Sequence, residues 1–388
     1  MSPFPSDDVM RGLLVVGAFV FSSCASPPST KEPVRTVAMP GLQPVESNDQ
    51  GDSPPGNDVA SARSPDPLPP LAVVGLARGT GTPADQALAR GDDAYRNEQW
   101  DAASEAYLQA QRLAPTDPAP LVGQVRVALA KADAPTAHAA DPQQPLVRQS
   151  VAKLRQARRL DPSYGPALVE LGQALLVLDE SEEALSVLQA AVQQLPSNPD
   201  ALSALGVALL ANGRSQEAVN ALQKAVELDP GSIPRLTNLA TAWLLQGETS
   251  RAVEVYERAV LLAPDDGRIH TDLGTAYLAL NDLQKAMRHL RRAVEIDPNR
   301  ATFRSNLGYG LLSLGDTTGA IEQCRKALEL DAKLGSAWIN LGTALARTGK
   351  RQQARQAFER AVALDPTDPR PRANLQELDE IERAGAAP

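Results

Sequence analysis

Between residues 199 and 232 the apolar positions fall on two helical stripes with a break between them. Leu202, Leu205 and Leu209 share one face of a first helix, and Ala218, Leu222, Ala225 and Val226 share one face of a second. Asn212-Gly213 stands where the first stripe stops, a pair suited to the left-handed residue just past a helix end. Ser215 is placed to cap the second helix. Asp229-Pro230 stops that helix, because proline lacks an amide proton and restricts the residue before it. The predicted element is an antiparallel pair of short helices.

The pattern returns every 34 residues. Pro162, Pro196, Pro230, Pro264 and Pro298 keep that spacing, and it runs on through Ala332 to Pro366. Gly172, Gly206, Gly274, Gly308 and Gly342 follow it, each after a leucine, and so do the alanines from Ala184 to Ala354 and from Ala191 to Ala361. Small residues at these points let the paired helices approach closely; a larger side chain would cost about 1–3 kcal/mol per site by overpacking. A fixed period of this length marks stacked supersecondary units.

In residues 335–368 the signature reads Trp338, Leu341, Gly342, Leu345, Ala354, Phe358, Ala361 and Pro366, and it resembles the tetratricopeptide repeat. The resemblance implies an all-α, right-handed solenoid of about eight helix-turn-helix repeats closed by a C-terminal capping helix. The units run 84–117, 118–164, 165–198, 199–232, 233–266, 267–300, 301–334 and 335–368. Those within 84–164 are atypical. The first keeps Gly91, Ala94, Tyr95, Trp100, Tyr107 and Pro115, and the second is split by an insertion near 133–145 that carries His138. The six within 165–368 are regular, apart from Ala240 in the glycine slot and Ala332 in the proline slot. Residues 369–388 are the capping helix and tail, with Glu377, Asp379 and Glu380 on its outer face. Cys324 takes the slot of Tyr256 and Phe358, and so reads as core.

The first residues carry a different message. Gly12 to Phe21 is a ten-residue apolar run after Arg11, too short to cross a bilayer and the right length for the apolar part of a secretory signal. Asp7 and Asp8 spoil a basic start, which initiation at Met10 would restore. Ser22-Ser23-Cys24 resembles a bacterial lipobox, with Phe21 where leucine is usual, and implies a signal peptide over 1–23 and a lipid on Cys24. A cleaved signal with an incidental cysteine fits the same run. Ala25-Ser26, without the aspartate of inner-membrane retention, points to the outer membrane. Residues 24–83 are rich in Pro, Ser and Asp and lack an apolar period, which predicts a disordered tether spanning roughly 40–45 Å. Its apolar patch, Leu71 to Leu76, is a candidate for docking on the folded part or a partner.

Composition narrows the chemistry. With 38 Lys and Arg against 47 Asp and Glu, and no basic cluster, the chain is a poor phosphate binder, which argues against nucleic acid. Three histidines and two cysteines without metal spacing argue against a closed zinc site or a disulfide framework. No nucleophile elbow, phosphate loop or paired-carboxylate motif is present. His270 and His289 read as ordinary packing or surface residues. Neither a cofactor nor a small-molecule substrate is expected.

The remaining surface is the concave one, which in such repeats is lined by the first helix of each unit. The family pattern puts Asn238, Asp272, Asn306 and Asn340 in one row. Thr237, Thr271, Ser305 and Ile339 form a second row, and Thr241, Thr275, Tyr309 and Thr343 a third. The strip resembles the asparagine ladder of O-linked N-acetylglucosamine transferases, which grips peptide backbone, and its side chains are expected to face solvent. Generic solubility of a concave surface is the alternative. The carboxylate clamp of chaperone-binding repeats is disfavoured, because Leu88 and Asp92 stand at the first-unit positions it needs. The resulting expectation is a non-enzymatic, lipid-anchored scaffold that binds proteins or peptides of the cell envelope. It resembles the repeat lipoproteins that help pilus or secretion channels assemble; the alternatives are an adaptor for peptidoglycan-remodelling enzymes and a chaperone-like binder of exported clients.

Overall fold

The computed structural model describes residues 75–132 and 145–385. The signal segment, Cys24, the tether as far as Val74, and His138 with the rest of 133–144 lie outside the described residues.

Among the described residues there are seventeen helices. The first unit pairs α1 (Pro83–Arg96) with α2 (Trp100–Leu113), and the second pairs α3 (Ala119–Lys131) with α4 (Pro145–Leu160). Next come α5 (Gly165–Val177) with α6 (Ser181–Gln194), and α7 (Pro199–Ala211) with α8 (Ser215–Leu228). The fifth and sixth units are α9 (Ile233–Leu245) with α10 (Thr249–Leu262), and α11 (Gly267–Ala279) with α12 (Leu283–Ile296). The last two are α13 (Ala301–Ser313) with α14 (Thr317–Leu330), and α15 (Gly335–Arg347) with α16 (Arg351–Leu364). A closing helix, α17 (Pro369–Gly385), lies on α16 and ties to it through Arg355, whose guanidinium meets Asp379 at 2.6 Å and Glu382 at 3.0 Å.

Each regular unit turns in the same way. After α7 the Arg214 amide donates to Leu209 O at 2.8 Å and the Gly213 amide to Leu210 O at 3.0 Å, the two bonds of a Schellman end. Gly213 has φ 73°, and the same slot is left-handed in Asp179, Gly247, Asn281, Gly315 and Gly349. The next helix starts differently from expectation. Ser215 is its first helical residue; the cap position is Arg214, with no side-chain bond to the helix. The asparagine before α7 does cap, with Asn198 Oδ1 accepting from the Ala201 amide at 2.7 Å.

Inside a unit the ruler glycine faces the side chain sixteen positions on. A Cβ on Gly206 would lie 2.7 Å from Leu222 Cδ2, one on Gly342 2.5 Å from Phe358, and one on Gly308 2.6 Å from Cys324 Sγ. The helices close because a core side chain enters the space a Cβ would take. Cys324 is fully buried in that role, and burial pushes its thiol up to about 12.

Between units, each second helix packs on the first helix of the next, and first helices also touch in series along α1, α3, α5, α7 and α9, and again along α11, α13, α15 and α17. Among the described residues no two second helices are in comparable contact. The first helices therefore form the shorter, inner wall and the second helices the outer one, which is what curls such an array.

One boundary needs correction. The tether does not reach residue 83, because Gly75 to Thr82 already belong to the described fold and Leu76 is only 1% exposed within the core. Two aspartates of α1 hold its backbone, an interaction no apolar period reveals.

Candidate peptide-binding groove

The inner wall of the fifth to eighth units carries the three predicted rows, but their side chains are arranged differently from expectation. Asn238, Asn306 and Asn340 do not face solvent; they are 4%, 2% and 8% exposed. The reason lies in the stacking of first helices. Asn340 reaches back across the unit boundary, its Nδ2 donating to Ser305 O at 3.2 Å and Ser305 Oγ at 3.3 Å. Ser305 is itself fully buried, with its hydroxyl 3.4 Å from that of Ser336. That asparagine braces α15 against α13. Asn306 has a buried Oδ1 with no hydrogen-bond partner.

In the second row Thr271, Ser305 and Ile339 are buried too, against expectation, and only Thr237 and the third row are half-buried. Most of the hydroxyls donate to their own helices. Thr237 Oγ1 donates to Pro234 O at 3.0 Å and Thr241 Oγ1 to Thr237 O at 2.9 Å. Thr275 donates to Asp272 O at 2.8 Å, Thr343 to Ile339 O at 3.0 Å, and the buried Thr271 to Gly267 O at 2.8 Å. With those hydrogens committed, the oxygens keep lone pairs for an incoming donor, one of those on Thr241 Oγ1 being taken by the Tyr256 hydroxyl at 3.1 Å. Tyr309, half-buried, completes the third row. The wall is rich in acceptors and poor in free donors. It suits backbone N–H groups better than carbonyls.

Asp272 adds a titratable group. It is half-buried on the wall, and burial, helped by the neighbouring Asp266 carboxylate and opposed by Arg268, pushes its carboxyl up to about 7.

Matches to the tetratricopeptide repeat fall at residues 146–199, 169–233, 244–305, 301–334 and 335–368, which together span more than half of the sequence. The chain belongs to the tetratricopeptide repeat family. Among solved structures, the crystal structure of the APC/C hetero-tetramer Cut9-Hcn1 is similar at 15% identity and a TM-score of 0.55, over 78% of this chain and 57% of that one. This repeat protein thus spans little more than half the length of that relative. The Pseudomonas aeruginosa pilF structure is 18% identical with a TM-score of 0.47, over 56% of this chain and 96% of that one. A thermophilic tetratricopeptide repeat protein of Thermus thermophilus, TTC0263, is 24% identical with a TM-score of 0.41, over 47% and 99%. These are likenesses of fold. No curated protein sequence matches the chain.

Three polar constellations in this repeat protein were not foreseen from the sequence. His270 and His289 meet through their Nδ1 atoms at 2.9 Å, while His270 Nε2 lies 3.0 Å from Pro264 O. The carbonyl requires a hydrogen on His270 Nε2, so in the neutral pair His289 is the Nδ1 donor. Burial first, then His270, lowers the His289 pKa. The second constellation is ionic: Arg126 meets Glu170 at 2.6 Å, and the buried Arg235 meets Asp200 at 2.5 Å and also pairs with Asp229. The third is the grip of Asp85 and Asp92 on residues 76–81. The histidines belong to the two helices of one unit and the ionic partners mostly to successive units, and helical periodicity, which places those helices, does not fix side-chain direction.

Among the described residues no group of three or more His, Cys, Asp or Glu could hold a metal ion, and no helix is long and apolar enough to cross a membrane.

Proposed function

We propose that this protein is a non-enzymatic scaffold that holds peptide or helical segments of partner proteins against the inner wall of its solenoid. The observation that carries the reading is the wall itself: the half-buried Thr241, Thr275 and Thr343 hydroxyls, each committed as a donor to its own helix, offer acceptor oxygens in the fifth, sixth and eighth units. Such a surface takes the N–H groups of an extended chain with little regard to its sequence.

The apolar run before Ser22-Ser23-Cys24 supports placing this scaffold in the cell envelope, lipid-anchored through Cys24 at the outer membrane, with the partners being envelope proteins. Within that setting, assistance to a pilus or secretion channel is the favoured role. Two parts of the reading are tested together by expressing Cys24→Ala beside the native chain and isolating each with its bound proteins. Loss of membrane fractionation or arrested maturation is expected, and unchanged partitioning with an unchanged mature N-terminal mass would contradict the anchor. Channel subunits among the bound proteins support the assembly role; wall hydrolases would favour the adaptor, and a heterogeneous mixture the chaperone.

A further inference from the structure

The chain holds one extended segment of itself against a first helix. Asp92 stands at a groove position of α1, and its Oδ2 accepts from the Leu76 amide at 2.6 Å and the Ala77 amide at 3.0 Å. Its other oxygen accepts from the Tyr107 hydroxyl at 2.9 Å, which fixes the carboxylate from the second helix. Two turns earlier, Asp85 accepts from the Arg78 amide at 2.6 Å and from the Gly81 amide at 3.3 Å. Successive backbone amides are gripped by side chains of the first helix, and the side chains of the segment are read as well. Leu76 is buried in the core, and the Arg78 guanidinium makes a two-pronged contact with Asp117 at 3.0 and 3.2 Å while lying 5.0 Å from the centre of the Tyr164 ring.

We propose that the N-terminal end of the inner wall is a recognition site for an extended basic peptide, apolar-X-Arg, and that Leu76-Ala77-Arg78 is its resident intramolecular ligand. Three observations define the chemistry. Carboxylates supply the grip, so the ligand contributes N–H groups and a cation. A Cβ at Gly75 would come within 3.2 Å of Asp92 Oδ2, so the residue before the apolar anchor is small. Beyond Arg78 the site continues into an open pocket of about 640 Å³ whose lining includes Asp117, Leu160, Asp161, Tyr164 and Leu195. Of the resident segment only Arg78 lines it. Gly79 and Gly81 have φ of 72° and 69° and turn the chain back into α1, with nothing within 4 Å of either Cβ position.

A partner segment of the same pattern without those glycines can run on into the pocket, against the side chains of Asp117, Leu160 and Asp161. That additional contact is what lets it displace a resident ligand present at an effective concentration on the order of millimolar. The inference deepens the reading of the inner wall as a peptide surface and rests on it for the place of Asp92.

The test uses the full chain and a synthetic peptide of residues 72–80. In the native chain the amides of Leu76, Ala77 and Arg78 should exchange with solvent more slowly than an open chain and faster than those of α1. The peptide carries Gly79 and lacks the pocket contact, so it should remove their protection only when supplied well above the resident segment's effective concentration. The full chain carrying Leu76→Asp with Arg78→Glu should bind the peptide at least tenfold more tightly than the native chain, and adding Asp92→Asn should abolish that binding. Exchange of the three amides only together with α1 would make the segment a permanent cap and overturn the proposal. So would absence of protection, or equal peptide binding by both chains. If the double variant loses its helical signal, the exchange measurement on the native chain decides alone. Thr241, Thr275 and Thr343 lie in the fifth, sixth and eighth units, so partner loss or retention there leaves this result unmoved.

Discussion

Two glycines of one unit show how residue identity is set by different physics. Gly206 is small because Leu222 occupies the place of its Cβ; Gly213 is glycine because its φ is 73°, with open space around it. Gly213→Ala should therefore cost about 1–2 kcal/mol from the backbone alone. Gly206→Ala should cost about 1–3 kcal/mol by overpacking. Their couplings to Leu222→Ala distinguish them. The cycle with Gly206→Ala should show a relief of about 0.5–3 kcal/mol, whereas the cycle with Gly213→Ala should be additive. Equilibrium denaturation of the four variants checks this, and additivity in both cycles would mean that the glycine slot is not set by the facing side chain. The sequence already separated the two, Gly206 as a close approach and Gly213 as a helix end. The structure adds which side chain, Leu222, fills the space at Gly206.

At the scale of elements, periodicity located the helix pairs well, since apolar spacing, Gly at the turn and Asp-Pro at the stop all act within one unit. What it missed acts between units. Asn340 was read as a groove side chain because its register is that of a ladder, yet its amide is turned along the wall to Ser305 of the preceding unit. The buried segment at Leu76 was missed beyond its apolar patch, because the carboxylates that hold it are scattered over α1.

The same row makes a pH prediction. Asp272 has an ordinary value of 3.8 and is pushed up to about 7 in the fold by burial first. Between those values the folded chain binds more protons than the unfolded one, so stability falls as pH rises from about 4 to 7 and the loss is complete above that. Asp272→Asn places the residue that three neighbouring units already carry in this row, and removes the penalty. The variant should melt above the native chain at pH 8 and converge with it near pH 4. A constant difference, or none, across that range would mean that the carboxyl is well solvated.

For the whole molecule, first helices stacked in series give an inner wall several units long, and no site on it is concentrated enough to be recognised from one motif. The repeat made the fold readable, because every unit restates the same packing solution. It left function much less readable, because the groove depends on which hydroxyls still have lone pairs free and on how neighbouring units share their side chains. Replacing the row asparagines, which the sequence alone suggested, would disturb Asn340 and its brace and confound binding with folding. The half-buried threonines are better probes. The decisive measurement compares two full-length variants, each checked for native helical content, for retention of the partner that co-purifies with the native chain. One carries Thr241→Arg, Thr275→Arg and Thr343→Arg on the inner wall. The other carries Glu254→Arg, Arg288→Glu and Glu322→Arg, all exposed on second helices. The inner-wall variant should lose about tenfold or more in affinity, at least about 1.4 kcal/mol, while the outer-wall variant keeps the partner. Loss from the outer-wall variant with retention by the inner-wall variant would contradict a peptide-holding groove.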